Sequence, residues 1–162
     1  MLMKMVFLGI KIFKKWLFKD DVKIDQRGSI AKIDFSFWDN LASDFNVVWN
    51  YDKNNNQYLR VNGGKPHIDK NTGKQISAKN VMIVFAKESP ANDGYEGGHL
   101  LYKIVGSGEG LFFQDGKVIK GTWKKTDEES QIRFYDEAGN EISLVRGPIW
   151  VEILPIGNKV NY

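Results

Sequence analysis

Apolar and polar residues alternate over short stretches along most of the chain, and turn residues separate these stretches. The clearest case runs from His99 to Lys125 and predicts three consecutive strands. Asp115 and Gly116 stand between two β-prone runs, and a two-residue Asp-Gly loop favours a type I′ hairpin turn. Counting back from this turn gives the predicted pairs: Gln114 with Lys117, Phe113 with Val118, Phe112 with Ile119 and Leu111 with Lys120. Apolar pairs fall on both faces, so we expect both faces to be covered.

The first of these three strands is predicted from Leu100 to Val105. The glycines that follow, Gly106, Gly108 and Gly110, predict a flexible connection into the hairpin.

Short strands are predicted on both sides of this region. A second hairpin consists of residues 47–51 and 57–61, which flank a polar turn from Asp52 to Asn56. The remaining predicted strands are residues 30–37, 81–86, 132–135, 142–145 and 149–154. The pattern predicts a mainly β domain over residues 30–157, with antiparallel sheets arranged as a sandwich or a partly open barrel. Residues 20–29 mix charges with a glycine and predict a linker.

Residues 1–19 have a different pattern. Wound as a helix, they place all their lysines within an arc of about 140°, with apolar side chains around the remainder. This predicts a basic amphipathic helix. The apolar run from Met5 to Ile10 is too short for a membrane span and short for a signal-peptide core. Two interpretations stay open: the helix packs on the domain, or it lies on a membrane surface. The residues that would face the membrane are Lys4, Lys11, Lys14, Lys15, Trp16 and Lys19.

Length, charge and cysteine content narrow the function classes. A chain of 162 residues with 42% hydrophobic residues can form one domain with a proper core. The net charge of +3 comes from the N-terminal segment: without its five lysines, 18 of the 23 basic residues remain against 20 acidic ones. A nucleic-acid partner is not expected, because the body has no basic excess. The sequence contains no cysteine, which excludes disulfides, thiolate chemistry and a lipobox.

Several segments are similar to the C-terminal domain of the YerB-like lipoproteins of bacteria, a family of unknown function. The similarity covers about residues 16–155 and depends most on three motifs. These are Gly64-Lys-Pro-His67-Ile-Asp69, Gly121-Thr-Trp123-Lys and Trp150-Val-Glu152. The resemblance implies an extracytoplasmic or membrane-associated protein, attached in that family by an N-terminal lipid. It also implies a larger N-terminal domain, which this sequence does not contain.

Candidate binding residues fall into two groups. His67 and Asp69 are two positions apart and, with Arg60, predict a polar cluster for an anionic or carbohydrate ligand. The same residues could instead satisfy backbone groups of a loop. Trp123 and Trp150 could present an aromatic binding face, although buried core positions are the stronger interpretation. Glu152 is predicted to form a cross-strand ion pair with Arg133 or Arg146.

No cofactor or metal is expected, because His67 and His99 are the available imidazole ligands and no motif such as HExxH joins them. No recognisable catalytic constellation is present. The leading hypothesis is therefore a non-enzymatic binding or scaffolding module for an envelope protein or wall polymer. The alternative is an enzyme or small-ligand site acting on an envelope polymer, which requires that Arg60, His67 and Asp69 converge in one cleft.

Overall fold

The hairpin around Asp115 and Gly116 lies at the centre of the fold. The structure is a computed structural model that describes residues 14–38 and 42–162. Each register pair predicted from Gln114–Lys117 to Leu111–Lys120 is confirmed. Asp115 has a φ of 55° and Gly116 a φ of 65°, as a type I′ turn requires.

The described residues form the following elements. The strands are β1 (Phe18–Lys19), β2 (Lys32–Ser36), β3 (Asn46–Asp52), β4 (Gln57–Asn62), β5 (Lys65–Pro66), β6 (Ser77–Ala78), β7 (Asn80–Ala86), β8 (Glu88–Pro90), β9 (Leu100–Tyr102), β10 (Gly106–Gln114), β11 (Lys117–Lys125), β12 (Arg133–Asp136), β13 (Leu144–Val145) and β14 (Ile149–Pro155). A 3₁₀ turn spans Ile24–Gln26 and a short helix, α1, spans Ala42–Phe45.

Two five-stranded sheets dominate the architecture. Sheet I has the order β12-β11-β10-β7-β14, and sheet II has the order β2-β3-β4-β5 with β6 also paired to β4. About half of the described residues lie in strands and 4% are helical, and no sheet among them closes into a barrel. The mainly β prediction is therefore confirmed. Most pairings are antiparallel, but β14 joins β7 in parallel and β1 joins β13 in parallel.

Sheet I is covered on both faces near the hairpin turn, as the apolar pairs predicted. One face packs on sheet II across a shared core: Ile33, Val47, Trp49 and Tyr58 from sheet II meet Val81, Ile83, Phe113 and Leu154 from sheet I. The other face carries a second core: Met82, Val84, Phe112, Trp123, Phe134, Ile142 and Leu144. The two cores bury the central strands β7 and β10 on both faces.

The flexible connection predicted just before the hairpin is wrong, and the strand predicted from Leu100 to Val105 is the shorter β9, Leu100–Tyr102. Strand β9 pairs with β8 in a separate two-stranded ribbon, and β10 pairs with β7. The glycines of the predicted flexible connection are the first half of β10. Their lack of side chains makes room for aromatic rings, because a Cβ at Gly108 would lie 2.7 Å from the indole nitrogen of Trp123. A Cβ at Gly110 would lie 2.5 Å from the Phe112 ring.

The helix predicted for residues 1–19 is wrong for the part that the structure describes. Residues 14–17 have no regular structure, and Phe18–Lys19 form β1 beside β13. The Trp16 indole donates a hydrogen bond to the Ile132 carbonyl at 2.8 Å, and its ring stacks on Phe134. This arrangement prevails because the folded sheets offer Trp16 a partner carbonyl and ring that an isolated helix would lack. Residues 1–13, with Lys4 and Lys11, lie outside the described residues.

The lysines of the described segment make contacts within the fold. Lys14 pairs with Glu141 at 3.0 Å, and Lys19 pairs with the buried carboxylate of Asp115 at 2.7 Å. Arg133 donates hydrogen bonds to the backbone carbonyls of Lys14 and Lys15. Trp16 and Lys19 are thus held within the fold, whereas the Lys14 side chain stays largely exposed.

The segment 20–29, predicted to be a linker, is bonded to the hairpin turn. The backbone N–H of Gly28 donates to the Asp115 carbonyl at 2.8 Å, and that of Ile30 donates to the Gly116 carbonyl at 3.0 Å. Arg27 donates to the carbonyls of Lys53 and Asn54 in the neighbouring turn. A polar, glycine-containing composition indicates a linker, but here the polar groups bond the buried turn at Asp115 and Gly116 and the exposed turn after β3.

No helix among residues 14–38 and 42–162 is long and apolar enough to cross a membrane.

The packing of the N-terminal segment can be tested by replacing Trp16 with alanine. The change removes a part-buried ring and a hydrogen bond, so we expect the free energy of unfolding to fall by about 2 kcal/mol. Urea denaturation measures the loss. Lys15→Ala is the control, since its side chain is exposed and its bonded carbonyl is retained. Equal stability of both variants would contradict the packed arrangement.

Candidate functional site

Arg60 lies between the two sheets. It stands on β4 with 5% of its surface exposed, because alternation along the strand directs it towards sheet I. Its Nε donates a hydrogen bond to Glu152 Oε1 on β14 at 3.1 Å. The indole of Trp49 donates to the same oxygen at 3.2 Å. Glu152 therefore pairs with Arg60, and the predicted pairing with Arg133 or Arg146 is wrong.

Aromatic and polar groups complete the surroundings of Arg60. The centre of its guanidinium lies 5.1 Å from the Trp150 ring centroid and 5.8 Å from that of Trp49. Its Nη1 lies 2.6 Å from His67 Nδ1, and because a guanidinium can only donate, the imidazole nitrogen accepts. The Asn62 side-chain oxygen accepts a bond from Nη1 at 3.2 Å. We call these residues the arginine cluster.

The arginine cluster has little charge to offer an anionic ligand. Glu152 neutralises Arg60, and both side chains are about 5% exposed. His67 and Trp150 are half-buried at its edge. The arrangement favours a structural role, in which a buried cation is compensated by a carboxylate and two indole rings.

Asp69 does not join this cluster. Its carboxylate accepts hydrogen bonds from the backbone N–H groups of Thr72 at 2.9 Å and Asn71 at 2.8 Å. These bonds lower the pKa of Asp69 below its usual value. The expected convergence of Arg60, His67 and Asp69 in one cleft is therefore wrong. Residues two positions apart lie on the same side of the chain only where the strand is continuous. Asp69 instead begins a tight turn that closes at Gly73.

Trp123 and Trp150 do not form one aromatic face. Both belong to sheet I, but Trp150 packs against the core shared with sheet II, and Trp123 packs in the core on the opposite face. Trp123 is 2% exposed, and its indole donates to the Phe85 carbonyl at 3.0 Å. The core interpretation of both residues agrees with this packing.

Strands β7 and β10 separate at one end of sheet I. Their ladder ends at the pair Val84 and Gly110. The ladder between β7 and β14 continues to Ala86, and the one between β10 and β11 continues to Gly106. Beyond the last pair of this ladder, the Trp123 indole N–H donates a hydrogen bond to the Phe85 carbonyl of β7.

A cavity of about 760 Å³ opens where the strands part, and we call it the strand-separation cavity. Its volume lies within the usual range for ligand pockets. The residues used below are Phe85, Lys87, Lys103, Ser107, Glu109 and Trp123. Sequence analysis missed this site, because Lys87 and Lys103 lie in separate segments that only the β8–β9 ribbon brings together. The available signal in the sequence is the alternating glycines Gly106, Gly108 and Gly110, which by themselves predict only a flexible connection.

The cavity is lined on one side by an unpaired stretch of β10. Gln114 and Lys117 flank a two-residue turn and so form a hydrogen-bonded pair with each other. Alternation then directs the backbone groups of Ser107 and Glu109 away from β11 and towards the cavity. Both residues are exposed. Ser107 has no strand partner on that side among the described residues, whereas the last pair of the β7–β10 ladder, Val84 with Gly110, is bonded through the Phe85 N–H and the Glu109 carbonyl.

Lys87 and Lys103 stand at the base of the ribbon formed by β8 and β9. The backbone N–H of Lys103 donates to the Lys87 carbonyl at 2.9 Å, which extends the ladder that pairs Glu88 with Tyr102. Both lysines are exposed, and within the described ranges neither they nor Glu109 form an ion pair. Like charges opposite each other on neighbouring strands are unfavourable, so this pair has an energetic cost.

No group of three or more His, Asp or Glu side chains that could hold a metal ion occurs in the described part of the chain.

The fold and cavity define the class: a mainly β domain of two packed sheets, with a pocket at the point where two strands of one sheet separate.

The chain belongs to the family described as "Protein of unknown function (DUF3048) C-terminal domain", whose model matches residues 33–151. It is similar to the Bacillus subtilis (strain 168) protein named "Putative lipoprotein YerB", with 31% identity over 109 residues. That match covers 67% of this chain and 31% of the relative. The crystal structure of YerB protein from Bacillus subtilis matches with a TM-score of 0.72 and 26% identity, over 91% of this chain and 47% of that chain. The chain thus spans less than half of either relative. The resemblance seen in the sequence is confirmed.

Proposed function

We propose that this domain is a non-enzymatic binding module of the cell envelope, which holds a segment of an envelope protein or a wall polymer in the strand-separation cavity. The observation that carries the proposal is the cavity itself, formed where the β7–β10 ladder stops at Val84 and Gly110. A relative is named as a lipoprotein, which supports an envelope location. Peripheral membrane contact through residues 1–13 remains part of the proposal.

The lining of the cavity suits binding better than catalysis. It brings together two lysines, a glutamate, backbone groups and apolar side chains, and no nucleophile in it contacts a general base. The alternative function at Arg60, His67 and Asp69 loses support, because Asp69 lies in its own turn and Arg60 is neutralised by Glu152.

A pull-down from a bacterial envelope extract tests the proposal. The immobilised full chain is compared with a variant carrying Lys87→Glu and Lys103→Glu, which reverses the charges at the cavity. We expect the parent to retain specific protein or wall polymer and the variant to retain about tenfold less, equivalent to about 1.4 kcal/mol.

The matched control carries Lys70→Glu and Lys74→Glu, two exposed lysines in the loop that follows Asp69. It has the same net charge as the cavity variant and should retain as much material as the parent. Equal retention by the parent and the cavity variant, or no retention by the parent, would contradict the proposal.

A further inference from the structure

We propose that this domain forms a two-fold symmetric dimer, in which the outer edge of β14 pairs antiparallel with the same edge of a second copy and the symmetry axis passes through Val151. The inference goes beyond the proposed function, because no residue from Ile149 to Pro155 lines the strand-separation cavity.

The first argument is the direction of the backbone groups of β14. This strand is the last of sheet I and pairs with β7 in parallel. At one end the Pro148 carbonyl accepts a hydrogen bond from β7 at 3.3 Å, and at the other the Ile156 N–H donates to β7 at 3.1 Å. The even-numbered residues of β14 therefore bond β7, and alternation turns the odd-numbered ones outward. The outward N–H and C=O groups belong to Ile149, Val151 and Ile153.

The second argument is that these outward groups have no hydrogen-bond partner within residues 14–38 and 42–162. Two other outer strands are bonded on their outer side by segments of the same chain. On β2, Asp34 exchanges two backbone hydrogen bonds of 2.9 Å with Asn161. On β12, the Phe134 carbonyl accepts from the Ile142 N–H at 2.9 Å. The β14 edge thus differs from these two, because the described chain leaves it open.

The third argument is the apolar character of this edge. Open sheet edges are usually protected from pairing by lysines, bulges or charges that point inward. The one charged residue of β14 is Glu152, and it is 4% exposed because it lies in the arginine cluster. The side chains of the outward-bonding residues are two isoleucines and a valine, all half-buried. An unprotected apolar edge of this kind favours pairing with another strand.

The order of the side chains favours a second copy as the occupant. Ile149 and Ile153 stand at equal distances on either side of Val151, so the outward positions have the same pattern in both chain directions. Around a two-fold axis at Val151, the two valines lie opposite each other and each Ile149 lies opposite Ile153 of the partner subunit. Every such pair exchanges two backbone hydrogen bonds. A two-fold interface requires this kind of self-complementarity.

The faces of the sheet agree with this register. Ile149, Val151 and Ile153 pack on the side of the second core, so pairing would extend one apolar surface across the axis. Moving the axis by one residue to Glu152 would instead place two carboxylates opposite each other, which is unfavourable. The dimer would join the two five-stranded sheets into one sheet of ten strands.

Sedimentation equilibrium of the full chain tests the dimer. We expect the parent at about 100 μM to have twice the monomer mass, with a dissociation constant of about 10 μM or less. Val151→Pro removes an outward N–H and leaves the β7 ladder intact, so it should weaken dimerisation at least about tenfold. Val151→Thr keeps the N–H and a branched side chain. It is the matched control and should dimerise within about threefold of the parent.

Disulfide cross-linking tests the register. The chain contains no cysteine, so Val151→Cys supplies a single thiol. In the proposed pair the two Cα atoms at position 151 lie about 5.5 Å apart, which a disulfide can span. We expect mild oxidation to cross-link this variant and to leave Ile68→Cys, at an exposed loop position, monomeric. A mixture of Ile149→Cys and Ile153→Cys should cross-link, whereas either variant alone should not.

The possible results decide the inference independently of the envelope pull-down. A parent that stays monomeric overturns it and leaves the edge to another occupant, either residues 1–13 or a strand of a different protein. A dimer that Val151→Pro weakens no more than Val151→Thr does, or that Val151→Cys fails to cross-link, uses another surface and also overturns it. Circular dichroism verifies that the variants fold, and cross-linking carries the test if Val151→Pro does not.

Discussion

Replacement of Glu152 with alanine should lower the free energy of unfolding by about 3–5 kcal/mol, because it leaves the buried Arg60 cation without its carboxylate. The side chains of both residues are about 5% exposed, so water cannot replace the lost partner. The Trp49 indole, which donates to the same carboxylate oxygen, would lose its acceptor as well. Guanidinium chloride denaturation measures the loss.

A double variant separates the cost of leaving a buried charge unpaired from the cost of removing a side chain. Replacing both Arg60 and Glu152 with methionine removes both charges and keeps apolar volume between the sheets, so it should be less destabilising than Glu152→Ala alone. Glu137→Ala, in the exposed turn after β12, is the surface control and should change stability by less than about 0.5 kcal/mol. If Glu152→Ala resembles this control, the arginine cluster does not stabilise the packing of the two sheets.

Replacement of Gly116 with valine should destabilise the domain by about 3 kcal/mol, from two separate causes. The φ of 65° is unfavourable for a β-branched residue and adds strain of about 1–3 kcal/mol. A Cβ at this position would also lie 2.4 Å from the Tyr51 ring and 2.9 Å from the Gly28 carbonyl, and such overpacking costs about 1–3 kcal/mol. The turn has no room to adjust, because Asp115 is held by Asn56 and Lys19.

Gly139 provides the matched control. It also has a positive φ, 83°, but a Cβ there would meet no atom within 4 Å. Gly139→Val should therefore show the backbone strain without the overpacking. A difference in melting temperature between the two variants isolates the contribution of the packed turn. Equal losses would show that the hairpin turn is not buried as the structure places it.

The arginine cluster shows why the site was only partly predictable. Arg60 and His67 contact each other, as their closeness in sequence indicates, because the strand of Arg60 and the loop of His67 are neighbours. Local pattern pairs Glu152 with the wrong arginines, because Glu152 meets Arg60, 92 positions away in the chain, only when β14 packs across the core. Asp69 was misplaced because the turn that removes it from the cluster interrupts the strand alternation on which the grouping depended.

The sequence by itself determined the mainly β class, the two hairpins, the register around Asp115 and Gly116, and the family. Each depends on alternation and turn chemistry within a few residues, or on motifs that can be read directly. The tertiary structure alone decided that β10 pairs with β7, that β14 joins β7 in parallel, and that Phe18–Lys19 form a strand instead of a helix. It also decided where β7 and β10 separate. These features depend on contacts between segments that are distant in the sequence. The local pattern cannot show which of these contacts is most stable, because their stability comes from the apolar area that the segments bury against each other when the sheets assemble.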